Sequence, residues 1–70
     1  MLYDVPDNQV YRIIAAPNVA LLNAIGIFKG QEVLKKATYK HGGPVLVEIE
    51  SREVAIGKDF ATQITVEKSN

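Results

Sequence analysis

Cysteine is absent from the 70-residue sequence, which excludes disulfides, zinc sites with thiolate ligands and iron–sulfur clusters. There is one histidine, His41, and no serine near it has the sequence context of a nucleophile. A phosphate-binding loop of the form GxxxxGK is also missing. The residue types that catalysis needs are therefore not grouped in this chain, and we expect a protein that is not an enzyme and needs no cofactor.

Neither sign of charge is in excess, because eight Lys and Arg residues balance eight Asp and Glu residues. Phosphate contacts supply most of the affinity of nucleic-acid-binding proteins, so such proteins usually carry a basic excess. The longest apolar stretch, residues 13–28, is interrupted by Pro17, Asn18, Asn23 and Gly26. It falls short of the roughly 20 apolar residues of a membrane helix. The first ten residues hold two aspartates and no Lys or Arg, unlike a secretory signal. We expect a cytoplasmic protein with no nucleic-acid partner and no membrane insertion.

The apolar residues make up 47% of the chain, a fraction typical of a folded domain. A chain of this length holds one domain at most. We therefore predict a single domain over residues 1–70, in which residues 1–8 are a lead-in and residues 68–70 a tail.

Alternating apolar residues predict five β-strands. The first covers residues 9–15, and the second covers residues 33–40. The inward positions of the middle strands are Val33, Lys35, Ala37 and Tyr39, then Val45, Val47 and Ile49, then Val54 and Ile56. Ile64 and Val66 belong to the last strand. Lys35 is the one charged residue at an inward position, and we expect its ammonium near the barrel mouth with the stem buried.

The motif HGGP, which includes Gly43 and Pro44, predicts a tight turn between the second and third strands. A hairpin centred on Gly42 places Lys36 opposite Glu48. Opposite charges at directly facing positions stabilise a strand pair, so this register is the one we predict; it also pairs Ala37 with Val47.

Two shorter features follow along the chain. Ser51 and Arg52 form the predicted turn of a second hairpin, which pairs Ile49 with Val54. A break at Gly57 then precedes residues 58–61, which are enough for one helical turn.

The stretch ALLNAIGIFKGQEV contains the one predicted helix, over residues 19–25. Asn18 is suited to cap its N-terminus, and Leu22 and Ile25 give it a buried face. Gly26 offers the left-handed position that ends a helix. A helix this short is not stable alone, so we expect it to pack on the sheet and cover one opening of a barrel.

Leu22, Gly26 and Gly30 precede a valine-containing strand, and a Gly-Pro-Val turn, the sequence VAIG and finally Ala61 with ITV follow in order. In this order and spacing, over about residues 9–67, the sequence resembles the FeoA family. The family consists of small cytosolic accessory proteins of bacterial ferrous iron transport.

The resemblance implies a mainly β fold, a small SH3-like five-stranded barrel with one short helix between strands 1 and 2. It also implies a partner, the cytosolic GTP-binding domain of a ferrous iron transporter in the membrane. The residues expected to have structural roles are Leu22, Ile25, Gly26, Gly30, Gly43, Pro44 and Ala61.

Four residues are the candidates for metal binding, although we expect no metal site of high affinity. Glu48, Glu50 and Glu53 cluster around the second hairpin and offer the hard oxygen ligands that ferrous iron accepts. His41 lies in an exposed turn and lacks a second imidazole to complete a site. A solvated strand face and a solvated turn explain these residues equally well.

Leu21, Phe28, Leu34 and Leu46 are apolar residues left over once the inward faces are assigned. Leu21 and Phe28 flank the Gly26 turn, so we expect them to form a docking surface for the transporter or for a second copy of the chain. Leu21 stands where the family often has arginine, which favours self-association. The alternative function is a small-barrel regulatory or nucleic-acid-associated module, related to the carboxy-terminal domain of iron-dependent repressors.

Overall fold

Five antiparallel strands form one sheet in the computed structural model, which describes residues 1–69. The elements in chain order are β1 (Gln9–Ala15), α1 (Ala20–Ile25), β2 (Glu32–Thr38), β3 (Val45–Ile49), β4 (Arg52–Ile56), α2 (Lys58–Ala61) and β5 (Thr65–Lys68). In the sheet the order is β4-β3-β2-β1-β5, so β4 and β5 are the edge strands. The fold is mainly β, with five strands and a short helix between the first two, as the sequence predicts. Of the predicted tail, Lys68 ends β5 and residue 70 lies outside the described residues.

One continuous apolar core lies against the inner face of the sheet. Val45, Val47 and Ile49 alternate with half-buried residues along β3 and are themselves fully buried. This alternation is the period of two that a strand imposes on a half-buried surface. Leu2, within the residues assigned to a lead-in, is also fully buried in this core, a contribution that the sequence did not predict.

The register of β2 against β3 differs from the prediction. Leu34 pairs with Glu48 and Lys35 with Val47, and a bulge follows between Lys35 and Ala37. A bulge places two residues of one strand opposite one of its partner, so the predicted Lys36–Glu48 and Ala37–Val47 pairs are wrong. The bulge also explains Tyr39, which is 53% exposed and lies beyond the end of β2 rather than at an inward position.

The second hairpin turns one residue earlier than predicted. Its turn residues are Glu50 and Ser51, with φ values of 51° and 67°, and Ile49 pairs with Arg52. Two successive left-handed residues are the mark of a type I′ turn, whose twist matches that of the flanking strands. The predicted Ile49–Val54 pair is therefore wrong, and Val54 pairs with Val47 instead.

Helix α1 begins at Ala20, one residue later than predicted. Asn18 does not cap it, because the Asn18 Oδ1 atom accepts a hydrogen bond from Asn23 Nδ2 at 3.0 Å. The C-terminal end follows the prediction. Gly26 adopts φ 96°, its amide donates to the Asn23 carbonyl, and the Ile27 amide donates to the Leu22 carbonyl at 2.8 Å. These two bonds form a Schellman motif, which satisfies the last carbonyls of a helix.

Candidate docking surface

An apolar groove of about 610 Å³ lies where α1, β4 and α2 meet. Its apolar lining includes Leu21, Ile25, Val54, Ile56 and Phe60. Two charged residues, Lys58 and Asp59, also line it. The groove therefore presents apolar side chains to solvent.

Both leucines of α1 line the groove, but they differ in burial. Leu22 is 1% exposed and belongs to the core, whereas Leu21 is 62% exposed. Successive residues of a helix point about 100° apart, so the two side chains cannot both face the sheet. Ile25, predicted to be buried, is only half-buried because it lies at the boundary and lines the groove.

One wall of the groove is the edge strand β4. Val54, Ala55 and Ile56 line the groove, and β4 has a sheet neighbour on one side, β3. Edge strands present backbone donors and acceptors with which another chain can pair. The groove thus combines apolar side chains with the backbone of an edge strand.

The structure does not bring the two predicted docking residues together in this groove. Phe28 is 44% exposed but lies after the Gly26 turn, and it is not among the residues that line the groove. Of the other leftover apolar residues, Leu34 and Leu46 are half-buried. Leu21 is the one leftover leucine that the fold directs into the groove.

The candidate metal ligands are engaged with basic side chains. Glu48 and Glu53 face each other across β3 and β4, and the Lys36 Nζ atom lies 3.8 Å and 2.5 Å from their carboxylates. The hydrogen bond from Lys36 to Glu53, together with the charge of Glu53, raises the pKa of Lys36 above its ordinary value. Glu50 is 3.8 Å from Arg52. Each of the three glutamates therefore has a cation beside it.

The fourth metal candidate, His41, is exposed in the turn between β2 and β3, with φ 65°. Across residues 1–69, no three His, Asp or Glu side chains lie close enough together to hold a metal ion. The weakness of metal binding by this chain stays a prediction.

The residues expected to have structural roles occupy turns or the core. Gly30 has φ 93°, and its amide donates to the Ile13 carbonyl at 2.8 Å. A Cβ atom at Gly43 would lie 2.6 Å from the carbonyl oxygen of Tyr39, whose amide in turn donates to the Pro44 carbonyl at 2.9 Å. Ala61 is fully buried. Backbone conformation and close packing account for these residues.

Lys35 is fully buried: its stem is buried as predicted, and its ammonium is covered as well, which the sequence did not predict. The Nζ atom donates to the carbonyls of Tyr3 at 3.1 Å and Val5 at 2.6 Å. It also lies 3.5 Å from the Asp7 carboxylate. These acceptors belong to residues 2–8, hereafter the N-terminal segment. The one signal in the sequence was a lysine at an inward position, and nothing in the sequence pointed to its partners.

Burial lowers the pKa of Lys35, and the negative charge of Asp7 opposes that effect. Burial removes the water that stabilises an ammonium, whereas a nearby carboxylate and backbone carbonyls replace part of that stabilisation. The three oxygen partners of the Lys35 ammonium thus all belong to the N-terminal segment.

The sequence matches a known family, and the fold matches solved structures. The FeoA domain family model matches residues 1–68. No curated protein is significantly similar to the chain in sequence. Within residues 1–69, neither helix is long and apolar enough to cross a membrane.

Solved structures that share the fold include the following three. The crystal structure of an iron uptake regulatory protein, FeoA, is 20% identical, with a TM-score of 0.84 over 97% of this chain and 93% of that one. Iron(II) transport protein A from Clostridium thermocellum is 22% identical, with a TM-score of 0.83 over 96% of this chain and 44% of that one. ScaR with bound Cd²⁺ is 18% identical, with a TM-score of 0.85 over 97% of this chain and 34% of that one. The match to FeoA confirms the SH3-like fold.

Proposed function

Because this chain belongs to the FeoA family, we propose that it is an accessory protein of ferrous iron transport that docks on the cytosolic GTP-binding domain of the membrane transporter. The family links the chain to iron transport; the docking partner and a cytoplasmic location are the proposal. The observation that carries it is the open apolar groove beside the edge strand β4, with Leu21 at 62% exposure.

A contact role suits the chemistry of the groove. Its charged residues, Lys58 and Asp59, are neighbours on α2, and the rest of the lining has no side chain that could act as a nucleophile or a general base. Protein interfaces typically have an apolar centre and a polar rim, and a few residues near that centre carry most of the binding energy. We therefore propose a binding protein without enzymatic activity.

Leu21 and Phe28 make a matched pair of variants, since both are apolar and exposed and only Leu21 lines the groove. Isothermal titration calorimetry should measure binding to the isolated GTP-binding domain of the transporter from the same organism. Leu21→Asp should weaken binding by at least about tenfold, because a carboxylate would be desolvated in the interface. Phe28→Asp should also weaken binding if the surface extends past Gly26, and should leave it unchanged if the groove alone is the contact.

Circular dichroism should show that both variants keep the fold, since neither side chain is in the core. Binding of the folded Leu21→Asp variant with the affinity of the parent would contradict docking through the groove. The second possible occupant, another copy of this chain, is tested by sedimentation: a parent that self-associates and a Leu21→Asp variant that stays monomeric would identify the groove as a homo-oligomer interface.

A further inference from the structure

The N-terminal segment has neither helix nor strand, and side chains of the sheet donate hydrogen bonds to three of its backbone carbonyls. The carbonyls of Tyr3 and Val5 accept from Lys35 Nζ, and the carbonyl of Pro6 accepts from Tyr11 Oη at 2.7 Å. Backbone carbonyls shielded from water need such donors. Two side chains therefore hold the segment, one from the neighbouring strand β1 and one from the sequence-distant strand β2, beside backbone bonds such as that from the Asn8 amide to the Lys35 carbonyl at 2.6 Å.

Lys35 is the stronger of these two attachments. Its ammonium donates hydrogen bonds to the Tyr3 and Val5 carbonyls, and the Asp7 carboxylate lies 3.5 Å away as an ion-pair partner. Asp7 is itself fixed, because its Oδ1 atom accepts from Thr38 Oγ1 at 2.8 Å. Breaking a buried charge away from its partners is strongly unfavourable, so Lys35 and the N-terminal segment hold each other in place.

The start of the same segment contacts α2 and the connection that follows it. The Tyr3 amide donates to the Ala61 carbonyl at 3.3 Å, and the Leu2 amide donates to the Ile64 carbonyl at 2.8 Å. The Lys58 Nζ atom lies 5.2 Å from the centre of the Tyr3 ring, within the range of a cation–π contact. Tyr3 thus joins the buried ammonium to α2 through its carbonyl, its amide and its ring.

Helix α2 is also a wall of the groove, since Lys58, Asp59 and Phe60 line it. It is four residues long, so it depends on its contacts for its position. From this chain of contacts, we propose that the N-terminal segment is a latch, held closed by Lys35, that positions α2 at the groove. The effect of the latch on binding rests on the docking function proposed above, whereas its effect on α2 does not.

Lys35→Met tests the latch, because methionine fills similar space without the donors. Hydrogen exchange of the folded variant, followed by NMR, should show the amides of Tyr3 and of α2 exchanging at least about tenfold faster relative to those of β3 and β4. Affinity for the GTP-binding domain should fall by a similar factor. The control is Lys36→Met, which removes the same charge from a neighbouring, partly exposed lysine and should leave α2 unchanged.

Unchanged exchange in α2 would overturn the latch, and so would an equal acceleration in β3 and β4, which would show a uniform loss of stability. Where Lys35→Met does not fold, Asp7→Asn replaces it: the carboxylate charge is lost while both carbonyl contacts remain. It should accelerate exchange at the same amides by a smaller factor, and no acceleration would overturn the proposal. Failure of the parent to bind the GTP-binding domain would remove the docking function and leave the exchange test of α2 intact. Faster exchange in α2 with unchanged affinity would overturn the positioning of the groove.

Discussion

The side of the molecule covered by the N-terminal segment buries polar groups, whereas the side that carries the groove exposes apolar ones. Under the segment, a charged lysine and a tyrosine hydroxyl are buried, and each has its acceptors. At the groove, a leucine and parts of the surrounding apolar residues are exposed without a protein contact that would cover them. A protein this small buries a smaller share of its surface than a large one, so some of its apolar side chains stay exposed.

The difference teaches where a partner is needed. A buried polar group without a hydrogen bond costs about 1–3 kcal/mol, and the described residues have no buried side-chain nitrogen or oxygen atom in that state. The buried polar side chains on the covered side therefore find their hydrogen-bond partners within the single chain. At the groove, by contrast, a second molecule would bury apolar side chains that the single chain leaves exposed.

The largest effect we predict is at the boundary between core and groove. Leu22→Ala should lower the free energy of unfolding by about 2–4 kcal/mol, because it leaves a cavity beneath α1. Leu21→Ala, one residue earlier on the same helix, should change it by less than about 0.5 kcal/mol, since the side chain is exposed. Urea denaturation of both variants measures the difference. Equal losses in the free energy of unfolding would show that Leu21 contributes to the core as much as Leu22 does.

The next effect concerns the two glycines that follow α1. Gly26 and Gly30 have φ values of 96° and 93°, where a side chain costs roughly 1–2 kcal/mol. A Cβ atom at Gly26 would also lie 3.0 Å from Ile49 Cγ2, whereas one at Gly30 would meet nothing within 4 Å. Gly26→Ala should therefore destabilise the fold by about 2 kcal/mol and Gly30→Ala by about 1 kcal/mol. Thermal unfolding ranks them, and the reverse order would contradict the packing of Gly26 on Ile49.

The strands and helices themselves were largely readable in the sequence. The bounds of β1 agree with the prediction because QVYRIIA is bounded by Asn8 and Pro17, which interrupt regular structure. The end of α1 agrees because Gly26 offers a conformation that other residues rarely adopt. Local chemistry of this kind is visible in a few neighbouring residues.

The registers were not predictable in this way. The bulge after Lys35 does not disturb the alternation of apolar residues in the sequence of β2. The turn at Glu50 and Ser51 places two residues at φ above zero, although neither is glycine. Both depend on what the rest of the sheet requires. The partners of Lys35 lie some 30 residues away in a segment with no periodic pattern, and the absence of Phe28 from the groove likewise follows from tertiary packing alone.

The smallest effect lies on the covered side, at Tyr11. Burial, reinforced by the negative charge of Asp7, raises the pKa of the Tyr11 phenol above its ordinary value. The folded state therefore keeps this proton at pH values where the unfolded chain loses it, and stability falls as the pH rises from about 10 through the raised pKa.

Tyr11→Phe removes that dependence and also leaves the Pro6 carbonyl without its donor. At pH 7 the variant should be about 1 kcal/mol less stable than the parent, and the gap should narrow above pH 10. Urea denaturation at pH 7, 9 and 10.5 measures the gap, with Tyr39→Phe, at an exposed tyrosine, as the control for stability at neutral pH. A gap that stays constant or widens up to pH 10.5 would mean that the Tyr11 phenol is not shielded by the N-terminal segment, and the covered side would then be more open than its hydrogen bonds indicate.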